Sequence, residues 1–172
     1  MAALSGFWAK SGKYPPRTGN LTRILIDGDE SFRLIAEDIE KAHNFIYITG
    51  AFINLDFRPR PHTHPGETLR SLLLAKTKAG VRVHIHFWNP HDKLLGHELL
   101  KDTVTRCDDD ERLAGVNSGP QSISARWDDA PGGMLGCHHQ KTFVMDGTVA
   151  WVGGINSVQN YWDTSRHDIL DR

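Results

Sequence analysis

The chain has 172 residues, a length that suits one ordinary domain. With 39% hydrophobic, 24% charged and 9% aromatic residues, its composition is that of a globular protein and excludes a disordered chain. Twenty basic and 21 acidic side chains leave a formal net charge of −1, which argues against a strongly basic nucleic-acid binder or a polybasic membrane clamp.

Targeting signals and cysteine content favour the cytoplasm. No apolar run approaches the roughly 20 residues that span a bilayer, and the first residues lack the charged-then-apolar order of a secretory signal. The two cysteines, Cys107 and Cys137, cannot form a disulfide framework. We therefore expect a soluble, reduced, cytoplasmic protein that can act peripherally at a membrane.

The chain begins with an irregular arm, followed by a predicted strand and helix. Residues 1–20 contain two prolines and two glycines and predict no regular structure. Arg23–Asp27 is a short apolar run that predicts a strand, and Asp29 or Ser31 can cap the helix after it. The apolar residues of that helix fall at i, i+3, i+4 and i+7: Phe32, Ile35, Ala36 and Ile39.

A second strand, helix and strand follow. Phe45–Ala51 is a β-branched and aromatic run that predicts a buried strand. Residues 54–66 are rich in proline and histidine and predict a loop. The leucine spacing of Glu67–Ala79 predicts a helix that ends at Gly80. Val81–Trp88 predicts the next strand.

The remaining elements complete the predicted architecture. Residues 91–114 predict a helix followed by a variable loop, Ser122–Trp127 a strand, and residues 128–136 another loop. The alternation of strands and helices predicts an α/β fold with a mixed, largely parallel sheet flanked by helices.

Residues 138–156 contain the candidate catalytic side chains. Thr142–Met145 and Val149–Val152 are strand-like, and the Asp146-Gly147 pair between them is a hairpin signal. The order predicts two antiparallel strands joined by a tight turn.

Polar groups of different kinds gather on this hairpin. His139 and Lys141 are two residues apart, so on a strand they share a face and lie roughly 6.5–7 Å apart. Histidine supplies a nucleophile or proton carrier, and lysine a fixed positive charge. Gly153 and Gly154 leave room for close approach, and Asn156 offers an amide donor. The set suits an anionic, phosphate-sized group.

The spacing of these residues resembles the HKD signature of the phospholipase D superfamily. The matching residues are His139, Lys141, Asp146, Gly153, Gly154 and Asn156. The double histidine and the segment Tyr161–Asp168 most resemble the amino-terminal half of a two-motif bacterial-type phospholipase D. The resemblance divides the chain into the arm, residues 1–20, and one half-domain, residues 21–172, that is incomplete at its carboxyl terminus.

The resemblance implies a phosphodiesterase that needs no metal and no cofactor. Such enzymes hydrolyse phospholipids, or transfer their headgroups, through a phosphohistidine intermediate. The implied partners are a phospholipid, a transient membrane surface and a second HKD half-domain, whereas nucleic acid is not expected.

The resemblance also implies residue roles. His139 is assigned as the nucleophile, although such histidine pairs can exchange the roles of nucleophile and general acid. Lys141 and Asn156 are assigned as phosphate ligands. Asp146 is grouped with the catalytic residues as an orienting partner rather than a proton carrier, and His138, with the two glycines, is assigned a supporting role.

The chain departs from the family because it contains one good motif where the chemistry needs two. A near-match beginning at His91 lies in a leucine-rich helical stretch and lacks a Gly-Gly-x-Asn. The second histidine must come from a missing carboxyl-terminal half or from a second copy of the chain, and the sequence favours the first.

Alternative functions stay open. A nuclease or a cardiolipin-synthase-type member of the same superfamily would use the same motif, and a non-catalytic half-module would bind phosphate without turnover. The pairs His62 and His64, and His84 and His86, have zinc-like spacing without further ligands, so no metal site is predicted.

Overall fold

The computed structural model describes residues 18–88, 123–128 and 138–168. Several sequence predictions lie outside the described residues: most of the amino-terminal arm, the helix within residues 91–114, nearly all of the loop 128–136, the His91 near-match, Cys107 and Cys137.

The described residues form two helices and five strands. Their bounds are α1 Gly28–Lys41, α2 Leu69–Lys78, β1 Phe45–Gly50, β2 Arg82–Trp88, β3 Ser124–Asp128, β4 Lys141–Met145 and β5 Val149–Gly153, with a short 3₁₀ turn at Gln159–Tyr161. Neither of these helices has the length and apolar character that a bilayer crossing requires.

The five strands form one sheet in the order β3-β2-β1-β4-β5. The pairs β1–β2 and β2–β3 are parallel, and the pairs β1–β4 and β4–β5 are antiparallel. Four of the five strands therefore run in the same direction. The predicted α/β class with a mixed, largely parallel sheet is confirmed.

The core lies between the two helices and one face of the sheet. Alternate strand residues such as Ile46, Ile48 and Ile85 are buried against Ile39 of α1 and Leu73 of α2. On the opposite face, the described side chains Tyr47, His84 and His86 are exposed. The sheet thus has one covered face and one face that the described helices leave uncovered.

Helix α1 confirms the predicted apolar stripe but not the predicted cap. Asp27 occupies the N-cap position, and its side chain makes no capping hydrogen bond. Instead, the backbone N–H of Asp29 donates to the carbonyl oxygen of Asp163 at 2.8 Å. The sequence predicted that a nearby side chain would cap the helix. A backbone carbonyl from a distant segment accepts the hydrogen bond instead.

Gly28 makes this approach possible. A Cβ atom added there would lie 2.8 Å from the carbonyl oxygen of Tyr161 and 2.9 Å from the Cα of Trp162. Both are backbone atoms that cannot rotate away, so the packing of this segment against α1 requires glycine.

The predicted strand at Arg23–Asp27 is wrong. The segment is extended but pairs with no described strand, and Ile24 and Ile26 are 88% and 72% exposed. A strand needs a hydrogen-bonded neighbour as well as a suitable local composition. Leu25 and Asp27 are the partly buried residues of this segment.

The other local signals hold. Thr68 and Ser71 form a reciprocal capping box at the start of α2, and Gly80 ends the helix region with a φ of 87°.

Arg60 anchors the predicted loop 54–66, because its buried guanidinium donates to Glu40 of α1 and to Glu67. These two carboxylates raise the pKa of Arg60, and the hydrogen bond from Arg60 lowers the pKa of Glu40.

Replacing Gly28 by alanine tests the packing of Tyr161–Asp163 against α1. We expect Gly28→Ala to lower the free energy of unfolding by roughly 1–3 kcal/mol, as other overpacking substitutions do. Gly66→Ala is the matched control, because a Cβ atom at Gly66 meets nothing within 4 Å. Urea denaturation measures both, and equal midpoints for the two variants would contradict the packing.

Candidate active site

The β4–β5 hairpin positions the motif. Its register places Lys141 opposite Gly153 and Met145 opposite Val149. The turn between them has φ values of 54° at Asp146 and 69° at Gly147, the positive signs that a type I′ hairpin turn requires. The predicted turn and strand pair are therefore present.

Asp146 accepts three consecutive backbone hydrogen bonds. The N–H groups of His43, Asn44 and Phe45 donate to its carboxylate at 2.8, 2.8 and 2.9 Å. These bonds lower the pKa of Asp146, since they favour its charged form. Asp146 follows β4 whereas Lys141 begins it, so about 16 Å of strand separates them. The structure does not bring Asp146 to the other motif residues.

His139 and Lys141 do meet. The Nζ atom of Lys141 lies 3.0 Å from Nδ1 of His139 and 3.0 Å from the His139 carbonyl oxygen. Lys141 is only 6% exposed, whereas His139 is exposed and precedes β4 rather than lying on it. An ammonium group can only donate, so Nδ1 is the acceptor and the neutral ring carries its proton on Nε2.

His138 points to the other side of the sheet. Its ring centre lies 5.0 Å from that of His86, on the face that the described helices leave uncovered. Lys141 shares the helix-covered face with Phe143 and Met145. The assigned supporting residue His138 therefore packs with His86. Among the described residues, no group of three or more acidic, histidine or cysteine side chains is placed to hold a metal ion.

The two glycines leave open space in front of Lys141. An added Cβ atom would first meet the Ile155 nitrogen at 3.9 Å from Gly153, and nothing within 4 Å from Gly154. The two glycines therefore leave space for a ligand, and they are not required by close packing against another backbone segment.

Asn156 lies beyond the hairpin and is 2% exposed. Its side-chain oxygen has no hydrogen-bond partner among the described residues. An unpaired buried polar atom costs about 1–3 kcal/mol, so such atoms occur where another group or a ligand supplies the bond. The assignment of Asn156 as a phosphate ligand stays a prediction.

The segment that resembled the family after the motif packs at the start of α1. His167 Nδ1 lies 2.9 Å from the Asp163 carboxylate, and His167 Nε2 lies 3.8 Å from Asp27. The Asp163 hydrogen bond, then the charges of both carboxylates, raise the pKa of His167. Trp162 is buried in the core, and its ring contacts that of His62.

Sequence reasoning missed a cavity of about 570 Å³ that Lys141 lines. It lies between α1, the hairpin and residues 22–25. The apolar positions around it include Phe32 and Ile35, which the sequence placed on the apolar face of a helix, and Phe143, which lies in the predicted strand Thr142–Met145. No local signal distinguishes a wall that faces a cavity from one that faces a packed core.

The chain is similar over most of its length to cardiolipin synthases and phospholipases D. It is 31% identical over 150 residues to a cardiolipin synthase of Geobacillus sp. (strain WCH70), 87% of this chain and 27% of that protein. Phospholipase D zeta 1 of Arabidopsis thaliana is 27% identical over 167 residues, 93% of this chain and 15% of the relative.

A third relative gives the same result. Phospholipase D1 of Homo sapiens is 27% identical over 155 residues, 88% of this chain and 14% of the relative. No protein-family model matches the chain. The chain thus spans 14–27% of the length of these curated relatives, and its resemblance to the phospholipase D superfamily is confirmed.

Neutralising Asp146 tests its structural role. In Asp146→Asn the amide cannot accept all three backbone hydrogen bonds, because its nitrogen is a donor, and we expect lower stability at pH 7. The pKa of Asp146 is lower in the folded state, so its contribution is present above the unfolded value of about 3.9 and is lost as pH falls through the folded value.

The measurement is the urea midpoint of wild type and variant at pH 7 and at pH 3. We expect the difference between them to shrink at the lower pH. Asp168→Asn is the matched control, because Asp168 is exposed and forms an ion pair with the equally exposed Arg166. Equal stability of Asp146→Asn and wild type at pH 7 would contradict the structural role.

Proposed function

We propose that the chain supplies one catalytic half of a metal-independent phosphodiesterase that acts on phospholipid headgroups. The 3.0 Å contact between Lys141 Nζ and His139 Nδ1 carries this proposal. It joins an exposed imidazole to a buried cation at a place where two glycines leave room for a ligand. The similarity to phospholipases D and cardiolipin synthases supports it.

The first chemical step uses both side chains. A phosphate oxygen accepts the hydrogen bond from the Lys141 ammonium, so that Nδ1 of His139 no longer accepts it. The ring proton can then reside on Nδ1 instead of Nε2. The lone pair of Nε2 then attacks phosphorus, forming a P–N bond while the P–O bond to the alcohol breaks. A histidine of the second half protonates the departing alkoxide. The Lys141 ammonium stabilises charge on the non-bridging oxygens.

The second step releases His139. The now neutral histidine of the second half removes a proton from water, whose oxygen attacks phosphorus and breaks the P–N bond. The product is phosphatidic acid, and an alcohol in place of water gives headgroup exchange. If the roles of the histidines are exchanged, His139 is the proton donor. Once the phosphate has taken Lys141, both ring nitrogens of His139 can carry a proton, and the imidazolium donates the one on Nε2.

The second histidine comes from the rest of a longer protein or from a second copy of this chain. Light scattering of the purified chain distinguishes these sources, because a concentration-stable dimer is required for the second. In either case the protein visits a membrane surface to reach its substrate.

A cardiolipin-synthase-type reaction is the second candidate. The similarity to the cardiolipin synthase of Geobacillus sp. supports it, just as the similarity to phospholipases D supports the first candidate. The step at His139 would be the same, with a lipid alcohol rather than water as acceptor. The near-neutral charge of the chain speaks against a nuclease, since duplex binding depends on neutralising phosphates.

Substitution of the paired residues tests the proposal. The test uses the assembly that supplies the second histidine, either the longer protein or a dimer of this chain. In EDTA, we expect His139→Ala and Lys141→Ala to lower its hydrolysis of dibutyrylphosphatidylcholine by at least about 10³-fold. His64→Ala is the matched control, because His64 is an exposed loop residue whose side chain bonds Thr63. Wild-type rates in His139→Ala would overturn the assignment, and absence of turnover in the wild-type assembly would favour the non-catalytic half-module.

A further inference from the structure

The cavity beside Lys141 has mostly apolar walls. Helix α1 contributes one wall, the hairpin a second, and the extended residues 22–25 a third. The larger apolar side chains are Phe32, Ile35, Phe143, Trp151 and Ile155. Its volume of about 570 Å³ falls within the roughly 300–1,000 Å³ of small-molecule sites.

The charged side chains that line the cavity among the described residues are both positive. They are Lys141 and Arg23, and Arg23 is ion-paired with Glu30, which does not line the cavity. Lys141 is the same side chain that contacts His139. A ligand that matches this lining has an anionic group at Lys141 and an apolar body along the walls.

The rim of the cavity is also apolar. Ile24 and Val152 line it and are 88% and 82% exposed. Soluble proteins seldom expose neighbouring large apolar side chains unless the surface binds something. The apolar surface therefore continues from the cavity to the outside of the described structure.

We propose that this cavity holds one hydrocarbon chain of a phospholipid whose phosphate is bound by Lys141. The proposal rests on the function proposed above and deepens it, because it assigns recognition of the lipid tail to the same half-domain. A hydrocarbon chain needs no hydrogen bonds, whereas an inserted peptide segment would have to pair each backbone N–H and C=O. The positive lining matches the phosphate.

A chain-length series tests the assignment. Calorimetry measures binding of butyl-, hexyl-, octyl- and decylphosphocholine to the full 172-residue chain, below the concentrations at which these probes form micelles. We expect affinity to rise about fourfold per methylene group until the cavity is filled. An affinity that does not change with chain length overturns the proposal.

Two variants locate the binding. Leu25→Glu places a carboxylate in the lining, and Ile26→Glu is the matched control because Ile26 is exposed and outside it. We expect the first to abolish the chain-length dependence and the second to retain it. Should Leu25→Glu fold poorly by circular dichroism, Thr22→Trp fills the cavity from an exposed lining position, with fully exposed Leu21→Trp as its control. Wild-type dependence in a folded lining variant overturns the proposal.

The binding measurement is independent of turnover. His139→Ala removes the proposed chemistry but not the cavity, so it should keep the chain-length dependence. Hydrolysis of dibutyrylphosphatidylcholine without chain-length dependence would leave the function standing and overturn the tail site. Chain-length dependence would support the tail site even if the assembly that supplies the second histidine does not hydrolyse this substrate, an outcome that would overturn the proposed function alone. If the probes dissociate a dimer in light scattering and Leu25→Glu abolishes that dimer, a second copy is the occupant and the proposal is wrong.

Discussion

The carboxylate of Asp146 fixes the register on which the candidate site depends. It accepts the N–H groups of residues 43–45 immediately before β1, and its own N–H donates to the carbonyl oxygen of Phe45. The pairing of Ile46 with Met145 follows directly. Because strand side chains alternate between faces, a slip of one residue would turn Lys141 to the opposite face. A residue far from the chemistry thus determines where the motif lysine points.

The burial of Lys141 is the second constraint. An ammonium group loses its hydration when it is buried, so it needs acceptors close by. The Nδ1 and carbonyl oxygen of His139 supply two of them. The lysine therefore holds the backbone and the ring of the residue that precedes the strand. The contact orders His139 before any ligand arrives, although His139 itself is exposed.

Elements that depend on local pattern could be predicted from the sequence, and those that depend on distant partners could not. The apolar spacing of α1 and the Asp146-Gly147 turn were sufficient for the helix and the hairpin. The segment Arg23–Asp27 has strand-like composition but no described neighbour to pair with. The cap of α1 comes from Asp163, more than 130 residues away in the sequence, and no local signal identifies it.

The motif likewise predicted only some features of the candidate site. The spacing predicted that His139 and Lys141 share a face of one strand, whereas His139 precedes β4 and its Nδ1 lies 3.0 Å from Lys141 Nζ. Spacing does not show that His138 turns to His86, since that depends on the strand that lies across the sheet. It also does not reveal a cavity, which is produced by three separate segments. Short motifs therefore predict which side chains carry the chemistry, whereas the cavity that would bind a ligand depends on tertiary packing.

The cavity bears on the energetics of substrate binding. A phosphate that takes Lys141 must break its hydrogen bond with His139, and hydrogen bonds to charged groups contribute about 1.5–3 kcal/mol. Each buried methylene group contributes about 0.8 kcal/mol, so about four of them offset that loss. Binding energy from the unreactive tail would then release His139 for chemistry only when a lipid is present. On this argument the contact between Lys141 and His139 is a resting state, and the lipid tail selects the substrate.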